Sequence, residues 1–308
     1  MENLKEISDL LSAFSEGMAD AVERVGPKVV RVNGRRRRPG SGVIYAQDLV
    51  LTASHVLERE ENLSVGTRDG RTISAQLVGR DPSTDLAMLR VESLDVDAAT
   101  LAEGTARIGQ LVLAVGRPSR GDEGPRASLG VVSAVGGPLR TGRGMRLERY
   151  IQTDATHYPG FSGGPLIDAR GNVLGIMTAG WARGAAFAIP AEVAWRVAKA
   201  LESRGSVKRG YLGILSQPVR LPDRQRTDLA QRGGLLVVGV EDESPAGRSG
   251  FLMGDILMTL DGQPAEDTDE LLALLTGERV GETVSVEVIR GGELRTLEVT
   301  IGERGQEV

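Results

Sequence analysis

The chain has 308 residues, 40 % of them apolar and only 3 % aromatic, with a formal net charge of −5. That length is a prior for two domains, and the mild negative charge gives no general attraction to nucleic acid or anionic membrane. With no cysteine and two histidines, disulfides and thiolate metal sites are excluded, and no structural metal is expected.

The opening residues Leu4, Ile7, Leu10, Leu11, Phe14, Met18, Ala21, Val22 and Val25 recur at helical spacing. They predict one amphipathic helix over residues 1–26, ended by Gly26-Pro27. Its apolar face can pack on its own domain or serve an oligomer contact. The start Met1-Glu2-Asn3-Leu4-Lys5-Glu6 lacks the basic and apolar regions of a signal peptide, and no stretch has the eighteen or more apolar residues of a membrane span. As written, the chain is expected to be cytoplasmic, with no membrane span; a leader trimmed from it would overturn that expectation.

From Val29 to Pro190, short β-branched runs alternate with Gly, Asp, Pro and Ser clusters, and the 41 glycines fit many tight turns. This predicts a mainly β sandwich or barrel. Asp168-Ala169-Arg170-Gly171-Asn172 reads as a hairpin loop. Arg35–Arg38 reads as a solvated loop between strands rather than a nucleic-acid patch, because one short run stands in an acidic protein. Ala191–Arg204 returns to helical spacing and Gly205-Ser206 breaks it. The expected organisation is a helix at 1–26, a domain at 27–208, a second at 209–303 with a helix at Thr268–Leu275, and a polar tail at 304–308.

Three segments carry chemistry. LTASHVL places His55 just after a buried strand, STDLAMLRV places Asp85 just before one, and DATHYPGFSGGPL places Ser162 in a glycine-rich turn. A serine hydroxyl needs a base within hydrogen-bond reach, and the base needs an orienting carboxylate. Histidine suits the base because it titrates near operating pH. A glycine-rich turn can aim backbone N–H groups at an oxyanion, with Gly160 and Ser162 as the natural donors. Gly-Phe-Ser-Gly-Gly also matches the nucleophile elbow of α/β-hydrolases, but those enzymes place the histidine after the serine, and none follows Ser162 here.

These segments, with the later GIMTAG, FAIP, RGYLGI and SPAGRSGFLMGDILMTLDGQP, resemble the HtrA/DegP family of trypsin-like serine proteases from about Val29 to Ile301. The resemblance implies a chymotrypsin-like double β-barrel followed by a PDZ domain, an α+β fold with a small, partly open barrel. It implies a cleft between the barrels in which His55 is the general base, Asp85 its orienter and Ser162 the nucleophile, with no cofactor needed. It further implies a serine endopeptidase acting on unfolded or damaged proteins and peptides, and a homo-oligomer, a trimer in the first instance. The alternatives are a non-catalytic peptide-binding scaffold and a processing protease for one partner.

The chain departs from the family at two places. Phe161 stands where the family usually has Asn, which can misalign the nucleophile turn. Thr156-His157-Tyr158 replaces a stretch commonly reading Ala-Ile-Asn. Thr156 and His157 look like one wall of the primary specificity pocket, with Thr178, Ala179 and Gly180 opposite. If His157 protonates at mildly acidic pH, acidic substrate side chains should gain most. In the second domain, Tyr211-Leu212-Gly213-Ile214 resembles the loop that captures a peptide's C-terminal carboxylate, and Leu271, Leu272 or Leu275 would line the facing helix.

Overall fold

The computed structural model describes residues 2–36, 38–118, 124–137, 139–140, 146–147, 149–179, 186–207, 210–221, 231–275 and 279–303. They fall into two compact units, Met1–Val207 and Lys208–Val308.

The first unit opens with helix α1 (Glu2–Val25). Six strands then close a barrel: β1 (Val29–Asn33), β2 (Gly40–Ala46), β3 (Leu49–Ala53), β4 (Leu63–Gly66), β5 (Thr72–Asp81) and β6 (Leu86–Val91), in the order β1-β2-β3-β6-β5-β4. A second six-stranded barrel is built from β7 (Leu111–Gly116), β8 (Arg126–Gly136), β11 (Tyr150–Thr153), β12 (Pro165–Ile167), β13 (Val173–Thr178) and β14 (Ala186–Pro190). A small hairpin of β9 (Leu139–Arg140) and β10 (Arg146–Leu147) lies between β8 and β11 in sequence. Helix α2 (Ala191–Arg204) follows.

Strands such as β3, β6 and β7 read as nearly unbroken apolar runs because both of their faces are buried. In β3, Leu49 and Leu51 enter a cluster shared by both barrels and both helices, while Val50 and Ala53 fill the first barrel's own core. In β6, Leu86 and Met88 join the shared cluster, and Ala87, Leu89 and Val91 the barrel core. β7 divides likewise, with Leu113 and Val115 in the shared cluster and Val112 and Ala114 inside the second barrel. Each fully buried Val, Leu, Ile or Met contributes about 1.5–3 kcal/mol, so the shared cluster locks the two barrels together.

Helix α1 is split in its use. Ala21 and Val25 are buried in the shared cluster, and Met18 and Val22 pack against it. Leu4, Ile7, Leu10, Leu11 and Phe14 are exposed. Its last turns dock on the β12–β13 hairpin, where Arg24 Nε donates to the Arg170 carbonyl at 3.1 Å.

The second unit is a mostly antiparallel sheet of β16 (Ile214–Arg220), β17 (Gly233–Val240), β18 (Ile256–Leu260), β20 (Thr283–Arg290) and β21 (Glu293–Thr300), with β19 (Gln263–Pro264) paired to β18. The short β15 (Gly210–Tyr211) pairs with β22 (Gly302–Glu303). Helices α3 (Pro245–Arg248) and α4 (Thr268–Leu274) complete it. Strand β16 ends the sheet order, so among the described strands it pairs only with β17. Arg290 clamps the buried Asp255 through two bonds of 2.7 Å. The predicted polar tail, 304–308, lies outside the described residues.

Candidate active site

Strand β3 stops at Ala53, and a short 3-10 turn, Ser54–Val56, holds His55 over the barrel end. Val56 is buried and anchors that turn. The His55 backbone N–H donates to Asp85 Oδ1 at 2.9 Å, and Nδ1 lies 2.6 Å from Asp85 Oδ2. Ser54 N–H donates to the Asp85 carbonyl at 2.8 Å. Ring and backbone of this histidine turn are therefore registered on one residue. Arg35 adds a further restraint, its guanidinium donating twice to the His55 carbonyl at 3.1 and 2.5 Å. The arginine run is thus more than a solvated loop at its first residue.

Asp85 sits at φ 61°, in the left-handed region that short polar side chains tolerate best. It ends a turn organised by Asp81, whose carboxylate takes Ser83 Oγ at 2.7 Å and Thr84 Oγ1 at 2.8 Å. Asp85 is 3 % exposed. A buried carboxylate must be hydrogen-bonded, and Thr178 completes the set by donating from Oγ1 to Oδ2 at 2.5 Å. This places the Thr178 hydroxyl on the carboxylate rather than in a pocket wall.

Ser162 approaches from the second barrel. His55 Nε2 lies 3.1 Å from Ser162 Oγ. A carboxylate only accepts, so Nδ1 of His55 carries the proton toward Asp85 and Nε2 of the neutral ring accepts from the serine hydroxyl. The serine turn is stitched to the first barrel by Ser41, which is fully buried. Ser41 N–H donates to the Ser162 carbonyl at 2.9 Å, and its hydroxyl donates to the Gly160 carbonyl at 2.7 Å while accepting from Arg117 N–H at 2.8 Å. Nothing in the sequence marks Ser41; only the approach of β2 to the turn reveals it. Gly163 is forced by the same approach, because a Cβ there would lie 2.1 Å from the Ser41 carbonyl oxygen and φ is +85°.

Phe161 is fully buried in the second barrel's core. Its backbone closes the turn, donating to the Tyr158 carbonyl at 3.0 Å and accepting from Gly164 N–H at 2.9 Å. The departure from Asn therefore anchors the turn through apolar packing.

Thr156 and Ala179 are exposed, and Gly180 lies outside the described residues. His157 turns onto the nucleophile itself, with Nε2 3.2 Å from Ser162 Oγ. Its Nδ1 is buried without a partner among the described residues. Burial, and then repulsion from His55 when that ring is protonated, lower its pKa from 6.5 to about 4. His157 is accordingly neutral in mildly acidic solution, contrary to the protonation considered above. Among the described residues no cluster of three His, Cys, Asp or Glu could hold a metal ion.

Comparison with known proteins places this geometry. Residues 40–176 match the trypsin-like peptidase domain and residues 210–301 the PDZ domain. A solved structure of the HtrA-type protease AlgW with decapeptide superposes with a TM-score of 0.79 at 33 % identity, covering 94 % of this chain and 99 % of that one. The chain belongs to the HtrA/DegP-like family of trypsin-like serine proteases. Two further members are probable periplasmic serine endoproteases, DegP-like. That of Halomonas elongata is 37 % identical over 87 % of this chain and 57 % of its own length. That of Ectopseudomonas mendocina is 36 % identical over 93 % of this chain and 62 % of its own length. This HtrA-type chain thus spans about three fifths of those curated relatives.

The cytoplasmic expectation is corrected by these relatives, whose names point to the periplasm. The expectation rested on the pattern of the opening residues and on the lack of an apolar span, and a folded protease domain itself carries no mark of its compartment.

In the second unit, Gly213 has φ +83°, and a Cβ there would meet Ser244 Cβ at 2.1 Å. Its carbonyl accepts from Glu241 N–H, and that of Leu212 from Ala246 N–H, both at 2.8 Å. Tyr211 Oη donates to Glu241. Leu212 is buried, and Ile214 opens the edge strand β16. On the helix side, Leu271 and Leu275 are buried in the unit's core, whereas Leu272 is exposed.

Proposed function

We propose that this chain is a serine endopeptidase in which His55 is the general base, Asp85 its orienter and Ser162 the nucleophile. The observation that carries this reading is the His55 ring, bonded at 2.6 Å to Asp85 and at 3.1 Å to Ser162. In acylation, the Ser162 proton passes to His55 Nε2 as Oγ bonds to the substrate carbonyl carbon. His55 then protonates the leaving amine. The oxyanion would be met by the N–H groups of Gly160 and Ser162, neither of which donates to another group among the described residues. Phe161 is the departure that kept a non-catalytic scaffold in view, and its packed position gives that alternative no support.

The decisive experiment is Ser162→Ala. The variant should keep its melting temperature and lose proteolysis by roughly 10⁶-fold in kcat. It should also lose labelling by an active-site serine probe. Full activity in the variant, with contamination excluded, refutes the assignment. Preferential digestion of a denatured over a folded model protein supports an unfolded-protein substrate class; selective cleavage of one folded partner supports a processing role instead.

Three finer assignments belong to the same proposal. Thr156, His157 and Ala179 line the primary specificity pocket beside the nucleophile. Tyr211–Ile214 captures a C-terminal carboxylate while the peptide extends the sheet at β16, whose outer edge has no strand partner among the described residues. The chain assembles as a homo-oligomer, a trimer in the first instance, with the exposed apolar face of α1 available for contact.

A further inference from the structure

Ser162 Oγ has two histidine neighbours. His55 Nε2 lies at 3.1 Å and His157 Nε2 at 3.2 Å. A serine hydroxyl has one proton to give and can accept two. If its proton points to His55, the bond to His157 requires an N–H on His157 Nε2. The converse arrangement would bury an unpaired Nδ1–H of His157 and set the bare Nε2 of a neutral His55 against a serine lone pair. An unmade bond to a buried donor and a facing pair of acceptors are both costly. The buried, unpartnered Nδ1 then carries the lone pair rather than the proton.

We infer that His157 is a further catalytic residue, a neutral imidazole that donates from Nε2 to Ser162 Oγ and stabilises charge on that oxygen. The inference rests on the triad reading given above. Its effect falls chiefly on deacylation. There, water bonds to the acyl carbon and gives a proton to His55 Nε2, and the carbonyl electron pair moves to the oxyanion. On collapse the carbonyl re-forms, the C–Oγ bond breaks with its pair moving to Oγ, and His55 returns the proton to Oγ. Oγ is the leaving group in that step, and a donor already aimed at it lowers the barrier. His157 keeps its own proton throughout. Ring packing fixes its aim: its centroid is 6.4 Å from that of the buried Phe161, which in turn packs edge-on against Tyr158 at 5.4 Å. Its neighbours include the Ser162 hydroxyl, the Phe161 ring and His55, and Asp85 is bound to the Nδ1 side of His55. Lowered to about 4 by burial and by His55, its pKa keeps it in the neutral donor form where the triad works.

The full-length protein allows a direct test. With two histidines in the chain, long-range ¹H–¹⁵N correlation spectra give each tautomer, and His157→Gln identifies which signals belong to His157. A protonated Nε2 and bare Nδ1 on His157 are expected; the opposite tautomer overturns the inference. A p-nitrophenyl ester then separates acylation from deacylation, with the acyl-enzyme followed by intact mass. His157→Phe should deacylate roughly tenfold more slowly, so that kcat and KM fall together while kcat/KM is largely kept. His157→Gln, which retains an N–H donor, should recover much of the rate. Equal deacylation in wild type and His157→Phe, or no recovery in His157→Gln, overturns the role of His157 alone. Absence of acyl transfer to Ser162 in the wild type overturns the triad and this role with it. Should His157→Phe fail to fold, the wild-type tautomer and the Gln variant's deacylation rate decide the matter.

Discussion

Asp85 accepts from the His55 ring, the His55 amide and the Thr178 hydroxyl while 3 % exposed. A bond to a charged group contributes about 1.5–3 kcal/mol, so Thr178→Val should destabilise the fold by about that amount. It should also lower kcat more than it raises KM, because a loosened carboxylate misaims His55. Thr178→Ser should restore most of both, as urea unfolding and steady-state kinetics will show. His157 gives a pH prediction. In the folded chain it takes its proton only near pH 4, against an ordinary value of 6.5. Between those values the unfolded chain binds the proton and the folded chain does not. Stability therefore rises with pH across that window and is lost as pH falls through it. Between pH 7 and pH 4.5 the wild type should lose roughly 2–3 kcal/mol more than His157→Phe. Equal losses in urea titrations at the two pH values would contradict the burial assigned to His157.

At the scale of elements, the serine turn and helix α1 behave oppositely. The turn is held by close backbone approach, so Gly163→Ala adds a Cβ 2.1 Å from the Ser41 oxygen at a φ of +85°. Left-handed strain of about 1–2 kcal/mol and overpacking of about 1–3 kcal/mol should add. The melting temperature should fall by many degrees. Helix α1 is committed to the fold only through its second half. Ala21→Asp buries a charge in the shared cluster and should destabilise strongly. Leu10→Glu with Leu11→Glu changes two exposed positions and should shift stability by about 0.5 kcal/mol or less each. If that face is an oligomer contact, the same pair should lower the mass seen by light scattering. An unchanged mass would remove α1 from the assembly.

At the scale of the molecule, the proposed function divides the chemistry between the two units, one hydrolytic and one recognising peptides. The carboxylate-capture proposal predicts that a peptide with an apolar free C-terminus binds the full-length protein roughly tenfold to a hundredfold more tightly than its C-terminal amide. That range is the worth of bonds to a charged acceptor, about 1.5–3 kcal/mol. Isothermal titration of Ser162→Ala, which cannot digest the peptide, measures it cleanly. Equal affinity would exclude Tyr211–Ile214 as the anion-binding loop. Addition of the free peptide to the wild type should also alter its protease activity.

By itself the sequence determined a mainly β first domain, because apolar runs punctuated by glycine are local signals, while the double-barrel and PDZ architecture came through its resemblance to the HtrA/DegP family. Helices α1 and α2 were likewise legible from 3.6-residue periodicity. Tertiary structure alone decided how the site is tied together. Ser41 lies far from Ser162 in sequence and meets it only because β2 crosses the nucleophile turn. Thr178 reads as a pocket residue until β13 carries its hydroxyl to Asp85 across the barrels. Phe161 looks like damage to the turn until the second barrel's core is seen to hold it. Arg35 sits in a run that composition assigns to solvent, yet its guanidinium reaches the His55 carbonyl. Each of these depends on a contact between residues distant along the chain, and local spacing carries no record of which distant backbone will arrive.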